Sequence, residues 1–568
     1  MERKCKYREL EYNRPDIKMI SKTLDGIADK VKNAKSYLEV KTLYETYDEI
    51  VSKVRTQAVL VQLRFWCDIT NEFYQKEYVE FTSIADSIIL PPNLCREFLN
   101  SKFIGELTDE YGITLERRFQ ESLSTNKGQE LLMEDQILQN EYQMIVQNLK
   151  YSVDGREITL TELSNMKKSA DCMVREKAQK AIYEAYLEKK EDFGRIFNSL
   201  IKVRNKRARL NGFKNYIDLG NCIWGRHDYG EDEIKEATIK ILKYFRPLYD
   251  EVMEIQKSDS SLNSIRVCDR IYNFNNGKFS YENLLEACQK MFSLMGKQTG
   301  DYFDKLIEQD AFDVEYSEVK LPGIAFQNYI NDINIAPIFG NFKNDSRDVS
   351  NIVHEFGHSF QEYQSSLNHK SLFNILPSID ISEIVSRSME FYAYKYVNLF
   401  YDKDNSKWIY LHAIGVVDYI LRFCAENEFE NYLYENEDVA LEDITQEYMK
   451  INRKYLPYEY DGFEDLIYRG ADYFMFDSFI TFPKYLIGYV PAYINAIELV
   501  FHTKNSYEKY LDICKHLGYR TYEETLKAGG LKHAFSEEAI SLASNTIRDI
   551  IRSEHKKSTD SSIQAILC

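Results

Sequence analysis

The sequence predicts a mainly α-helical protein carrying one small β-sheet. Three observations support this. Only 10 prolines and 23 glycines punctuate 568 residues, so helix breakers are sparse. Long stretches repeat apolar residues at helical spacing. One region alone, 319–342, breaks that rhythm with short runs of β-favouring residues among Pro, Gly and Asn.

In chain order, the stretch from Ser36 to Ile69 reads as one unbroken amphipathic helix. Gly128 to Tyr151 and Arg175 to Leu210 read the same way, and their succession suggests helical hairpins. Within 319–342, "IAFQNYI" and "INIAPIF" read as two strands joined at Asn331 and Asp332. Pro337 inside the second run predicts an edge strand, because proline cannot donate to a ladder. A helix follows. Asp345, Ser346 and Asp348 are its capping candidates, and Val349, Ile352, Val353, Phe356 and Phe360 form its apolar face. Another helix runs on from Asp380, and the tail 551–568 is polar and expected to be loose.

Composition narrows the function. A net charge of -18 disfavours a nucleic-acid partner, since phosphates would be repelled. The N-terminus carries basic residues with no apolar segment behind them, so no secretory signal is expected. No run reaches about 18 uninterrupted apolar residues, so no membrane span is expected either. Ten cysteines are scattered without a C-x-x-C pair, which reads as reduced thiols and a cytoplasmic setting. Neither a G-x-S-x-G elbow nor a phosphate-binding glycine loop is present.

The stretch "NIVHEFGHSFQEY", Asn351 to Tyr363, holds the chemistry. On a helix, His354 and His358 lie one turn apart on the same side, so both imidazoles can reach one Zn²⁺. Glu355 lies about 100° round the helix, beside the metal, where a general base must stand to take a proton from an attacking water. Gly357 keeps the turn small, so another backbone can approach closely. A catalytic zinc needs a third protein ligand. Glu362, Asp380, Glu383 and Glu390 are the candidates. Glu362 sits too far along the same helix. Glu383 is favoured, because Glu383, Arg387 and Glu390 share a charged stripe on an otherwise apolar helix and such groups need partners. The pattern "DISE" would alternatively make Glu383 a cap for its own helix. Glu390 reads either as a support behind the metal or as an ion pair with Arg387.

"HEFGHSFQEY" followed by "SEIVSRSMEF", which starts twenty-four residues after the second histidine, resembles the M3 family of zinc metallopeptidases, relatives of thimet oligopeptidase and oligoendopeptidase F. The shorter bacterial oligoendopeptidase branch is the nearest likeness. "PGIAFQNYINDINIAPIFGNFKNDSRDV", "FENYLYENED", "YMKINRKYLPYEYDGF" and "GGLKHAFSEEAI" are similar to that branch, so the likeness covers roughly residues 315–545. The resemblance implies one Zn²⁺ per chain held by His354, His358 and Glu383, with Glu355 as general base. It also implies a zincin-like, two-lobed helical clamshell around a deep channel. An N-terminal helical region, 1–200, would form part of the lobes, and a catalytic region, 201–550, would carry the sheet and both metal helices. Short unfolded peptides would be cut inside the channel, their backbone held by the strand around residues 336–341. Oligomeric state stays open between monomer and homodimer.

One stretch departs from the family. Near the C-terminus the family carries a histidine and then tyrosines that steady the reacting carbonyl. Here Phe482 or Lys484 stands in place of the histidine. Tyr493 matches the later tyrosine. The earlier one falls at Leu486, with Tyr485 and Tyr489 close by. His412 and His502 are candidates to replace the missing histidine. The departure also leaves open a zinc-dependent peptide-binding protein with weakened turnover.

Overall fold

The computed structural model describes residues 6–260, 262–269, 281–343, 346–401 and 405–567. The expected long helices are present. The first runs Tyr37–Cys67, with Ser36 as its cap accepting from the Glu39 N–H. The second is Gln129–Gln147. The third stretch divides into Cys172–Leu187 and Lys190–Leu210, broken at Glu188 and Lys189.

Two apolar cores organise these helices. The smaller gathers residues between Leu24 and Phe119, joined by Leu372 and Phe373 from far along the chain. The larger takes most of the rest, including Leu131, Tyr142, Tyr183 and Phe197. The helix Tyr37–Cys67 crosses from one core to the other: Tyr44 and Val51 belong to the smaller, Leu60 and Leu63 to the larger.

Two small sheets, not one, are present among the described residues: Tyr151–Val153 pairs antiparallel with Arg156–Ile158, outside the expected region, and the larger sheet lies where the sequence places it but has three strands. Phe312–Asp313, Ile338–Gly340 and Ala325–Gln327 lie side by side in that order. Ile338–Gly340 pairs in parallel with the first and antiparallel with the last. The expectation of an edge strand at Pro337 is thus corrected. The proline sits just before the strand, and pairing begins with Ile338, whose N–H donates to Ala311 O. The half-exposed edge is Ala325–Gln327. Ile330 and Ile335 still bridge across the turn at Asn331 and Asp332.

The histidine helix spans Ser346–Asn368, and its five predicted apolar residues are all buried. Asp345 lies outside the described residues. The tail also departs from expectation. Helix Glu537–Leu567 carries on through it instead of fraying. One helix, Asn405–Glu435, is long and apolar enough to cross a membrane by length and composition, but 67% of its apolar window is buried in the protein. The eight cysteines at described positions form no disulfide. Cys5 and Cys568 lie outside the described residues.

Candidate metal centre

The histidine helix crosses the helix Ile379–Ala393 at Gly357. A Cβ on Gly357 would stand 2.8 Å from Ser386 Cα and 3.2 Å from Met389 Cβ. Only glycine allows so close a crossing, and this closeness carries Glu383 up to the two imidazoles.

His354 Nε2 lies 3.2 Å from His358 Nε2. Glu383 Oε2 is 3.5 Å from the first, and Glu383 Oε1 is 3.4 Å from the second. Three atoms each about 2.0–2.1 Å from a tetrahedral zinc stand about 3.3–3.4 Å apart, so the triangle has the size such an ion requires. Among the described residues this is the one group of three or more His, Cys, Asp or Glu side chains gathered closely enough to hold a metal ion.

Partners behind the ligands aim them. His354 Nδ1 is 2.7 Å from Glu390 Oε1, an acceptor that favours a ring proton on Nδ1 and so frees Nε2 to face a metal. His358 Nδ1 is 2.9 Å from Ser382 Oγ. The Ser386 hydroxyl donates to Glu383 Oε2 at 3.0 Å. Three acceptors facing one another repel unless a cation or proton lies between them, so the donor set fits a metal. Burial would raise the Glu383 carboxyl, but His358 and His354 hold it down at about 2. The capping reading of Glu383 fails, because its oxygens face the imidazoles and the cap position is Ser378.

Glu390 fills both roles foreseen for it. Besides His354 it accepts from Arg387 Nη1 at 2.6 Å, and its other oxygen is 2.7 Å from His412 Nε2. His412 Nδ1 in turn lies 2.7 Å from Tyr394 OH. His412 therefore supports Glu390 from behind and does not replace the missing histidine. His502 bonds Thr546 and lies elsewhere. Asp380 is taken by Arg226, at 3.0 Å, and by the Tyr229 hydroxyl.

Glu355 is buried. Burial raises its carboxyl, and the neighbouring charges of His354 and His358 pull the other way. Tyr485 and Tyr489 are half-buried, and the Tyr489 hydroxyl donates to that of Tyr485 at 3.2 Å. Burial raises both phenols, Glu383 is the charge that adds most to that rise, and Glu355 acts on Tyr485 as well. Tyr493 is only 1% exposed. The Arg387 guanidinium lies 4.7 Å from the Tyr493 ring centre and 4.9 Å from that of Tyr489. Lys484 points away into a buried cluster, where its ammonium pairs with Glu231 at 3.0 Å and donates to Asn427 and Asn431. Phe482 is exposed.

Sequence reasoning missed Ser382, Ser386 and Arg226. The two serines flank Glu383 at −1 and +3, a spacing open to inspection. Arg226 gives no local signal. It grips Asp380 and also donates to the carbonyls of Lys484 and Tyr485, so it ties the glutamate helix to the turn that carries the tyrosines.

A family model described as peptidase family M3 matches residues 165–541, and one described as the M3 N-terminal domain matches residues 7–126. The chain belongs to peptidase family M3. Among curated proteins, this M3 chain is 22% identical over 371 residues to an oligoendopeptidase F homolog of Lactococcus lactis subsp. lactis (strain IL1403). That match covers 63% of the chain and 60% of the relative's length. It is 22% identical over 397 residues to oligopeptidase PepF of Bacillus subtilis (strain 168), covering 66% of the chain and 57% of that protein. The solved structure of PZ peptidase A with an inhibitor is similar over 96% of this chain and 99% of that one, with a TM-score of 0.88 and 25% identity.

Proposed function

We propose that this chain is a zinc-dependent endopeptidase that hydrolyses short unfolded peptides in the cytoplasm. The observation that carries the reading is the triangle of His354 Nε2, His358 Nε2 and a Glu383 carboxylate, 3.2–3.5 Å on each side. These three residues would hold one zinc ion. Bound there, it supplies Lewis acidity that makes water a nucleophile near neutral pH.

The chain's own groups do the rest. Glu355 takes a proton from the attacking water and passes it to the leaving amine. Ala325–Gln327 offers its open edge to an extended substrate backbone, the role assigned from sequence to residues 336–341. Those residues cannot take it, because Ile338–Gly340 is paired on both sides. A tyrosine hydroxyl donates to the carbonyl oxygen as charge develops there. Tyr485, with Tyr489 behind it, is the better placed donor, and Tyr493 steadies Arg387. The absent histidine removes one donor from this set and leaves the metal ligands and the base intact.

A quenched fluorescent peptide tests the reading. Turnover should be lost with chelator and return with zinc. Glu355→Gln should lower turnover about 10²–10⁴-fold while zinc, measured by atomic emission, stays bound. Turnover indifferent to chelator, or tight peptide binding by the metal-loaded native chain without cleavage, would overturn it.

A further inference from the structure

Glu362 lies seven residues beyond Glu355 on the histidine helix. Seven residues make nearly two turns, so the two carboxylates share almost the same azimuth about 10 Å apart along the axis. Glu362 is 6% exposed. Its Oε1 receives only a long 3.5 Å contact from Gln327 Nε2, and its Oε2 has no hydrogen-bond partner. Gln327 ends the half-exposed edge strand, and its own Oε1 is also unpartnered. Leaving a buried acceptor unsatisfied is costly, and more so for a charged group. Two such acceptors stand together here, beside the strand on which a substrate backbone would lie.

Both unpartnered atoms are acceptors, so the missing partner is a donor. Burial raises the Glu362 carboxyl to about 7, and Arg55 is the cation that pulls hardest the other way. Its guanidinium donates to Tyr329 O and Asn328 Oδ1, which anchors the chain just beyond the strand. The Gln327 side chain covers the carboxylate through one weak contact, which a stronger donor can displace. An extended peptide advances about 3.3 Å per residue. The 10 Å between Glu355 and Glu362 therefore corresponds to about three residues of substrate.

The geometry points to a subsite, formed by Glu362 and Gln327, for a cationic nitrogen carried by the peptide about three residues from the bond to be cut. The inference rests on the peptidase reading. Its ligand chemistry is an ammonium or guanidinium group, supplied either by a free peptide N-terminus or by a Lys or Arg side chain. A charge-assisted hydrogen bond of about 1.5–3 kcal/mol corresponds to a preference of roughly 10–100-fold.

The test is a set of quenched peptides with one common cleavage sequence. The N-terminus is free or acetylated, and Lys or norleucine is placed in turn at each position up to four residues from the bond. The zinc-loaded native protein should favour, by lower KM, peptides with the cation about three residues away, from one of the two sources. That preference should fall below about twofold in Glu362→Gln, and thermal melting should show the variant folded. Anisotropy with the same labelled peptides reads the preference as binding, even if none is cleaved, so loss of the peptidase reading and loss of the subsite are told apart. Equal handling of charged and neutral peptides by the native protein, or an unchanged preference in Glu362→Gln, would overturn the proposal.

Discussion

Tyr485, Tyr489 and Tyr493 differ in depth, and depth decides what each can touch. Tyr485→Phe should lower kcat by about 10²–10³, the cost of one lost donor to a developing oxyanion. Tyr493→Phe should change kcat far less, because its ring supports Arg387 from below the surface. Steady-state kinetics of the two variants gives the order. Lys484 carries a second prediction. It holds φ +64° and its side chain is fully enclosed. Lys484→His, which would reinstate the family's residue type, should not raise kcat. The shorter imidazole leaves Glu231 without its cation, at a cost of about 3–5 kcal/mol in denaturant titration. The pairing of His354 with His358 was legible because i, i+4 spacing fixes two imidazoles on one helix face whatever the tertiary structure. Burial of Tyr493 and the turning of Lys484 toward Glu231 were not, since both depend on residues more than 50 positions away.

The crossing of two helices sets the ligand triangle, and Gly357 sets the crossing. Gly357→Ala puts a Cβ 2.8 Å from the Ser386 backbone, which cannot yield as a flexible side chain would. Overpacking of this kind costs about 1–3 kcal/mol. Because the strain separates Glu383 from the histidines, zinc affinity should fall with it. Competition against a chromogenic chelator measures the affinity, and thermal melting measures the stability. The helices were legible from apolar periodicity, as with Val349, Ile352 and Phe356. Strand order was not. Pro337 argued for an edge, but the ladder begins one residue later at Ile338, and the third strand, Phe312–Asp313, is only two residues long and leaves no pattern.

At the scale of the molecule, the larger core encloses buried charge as well as apolar packing. Arg204, 1% exposed, donates through Nε to Asp135 Oδ2 at 2.8 Å and through Nη2 to Asp135 Oδ1 at 3.0 Å, deep in the larger core. Asp135→Asn strips that guanidinium of its counter-charge and should cost about 3–5 kcal/mol, read as a lowered midpoint in urea. The chain gave no hint of the boundary between cores, because no linker composition marks it and the helix Tyr37–Cys67 passes through both. The mainly helical architecture was plain from the scarcity of Pro and Gly. All these parts converge on one place, where helices of the larger core bring two imidazoles and a carboxylate together. Anomalous diffraction at the zinc edge, from metal-replete crystals, examines that place directly. The account predicts one peak about 2.0–2.1 Å from His354 Nε2, His358 Nε2 and a Glu383 oxygen. No peak between the histidines, or a peak with Glu383 turned away, would contradict it.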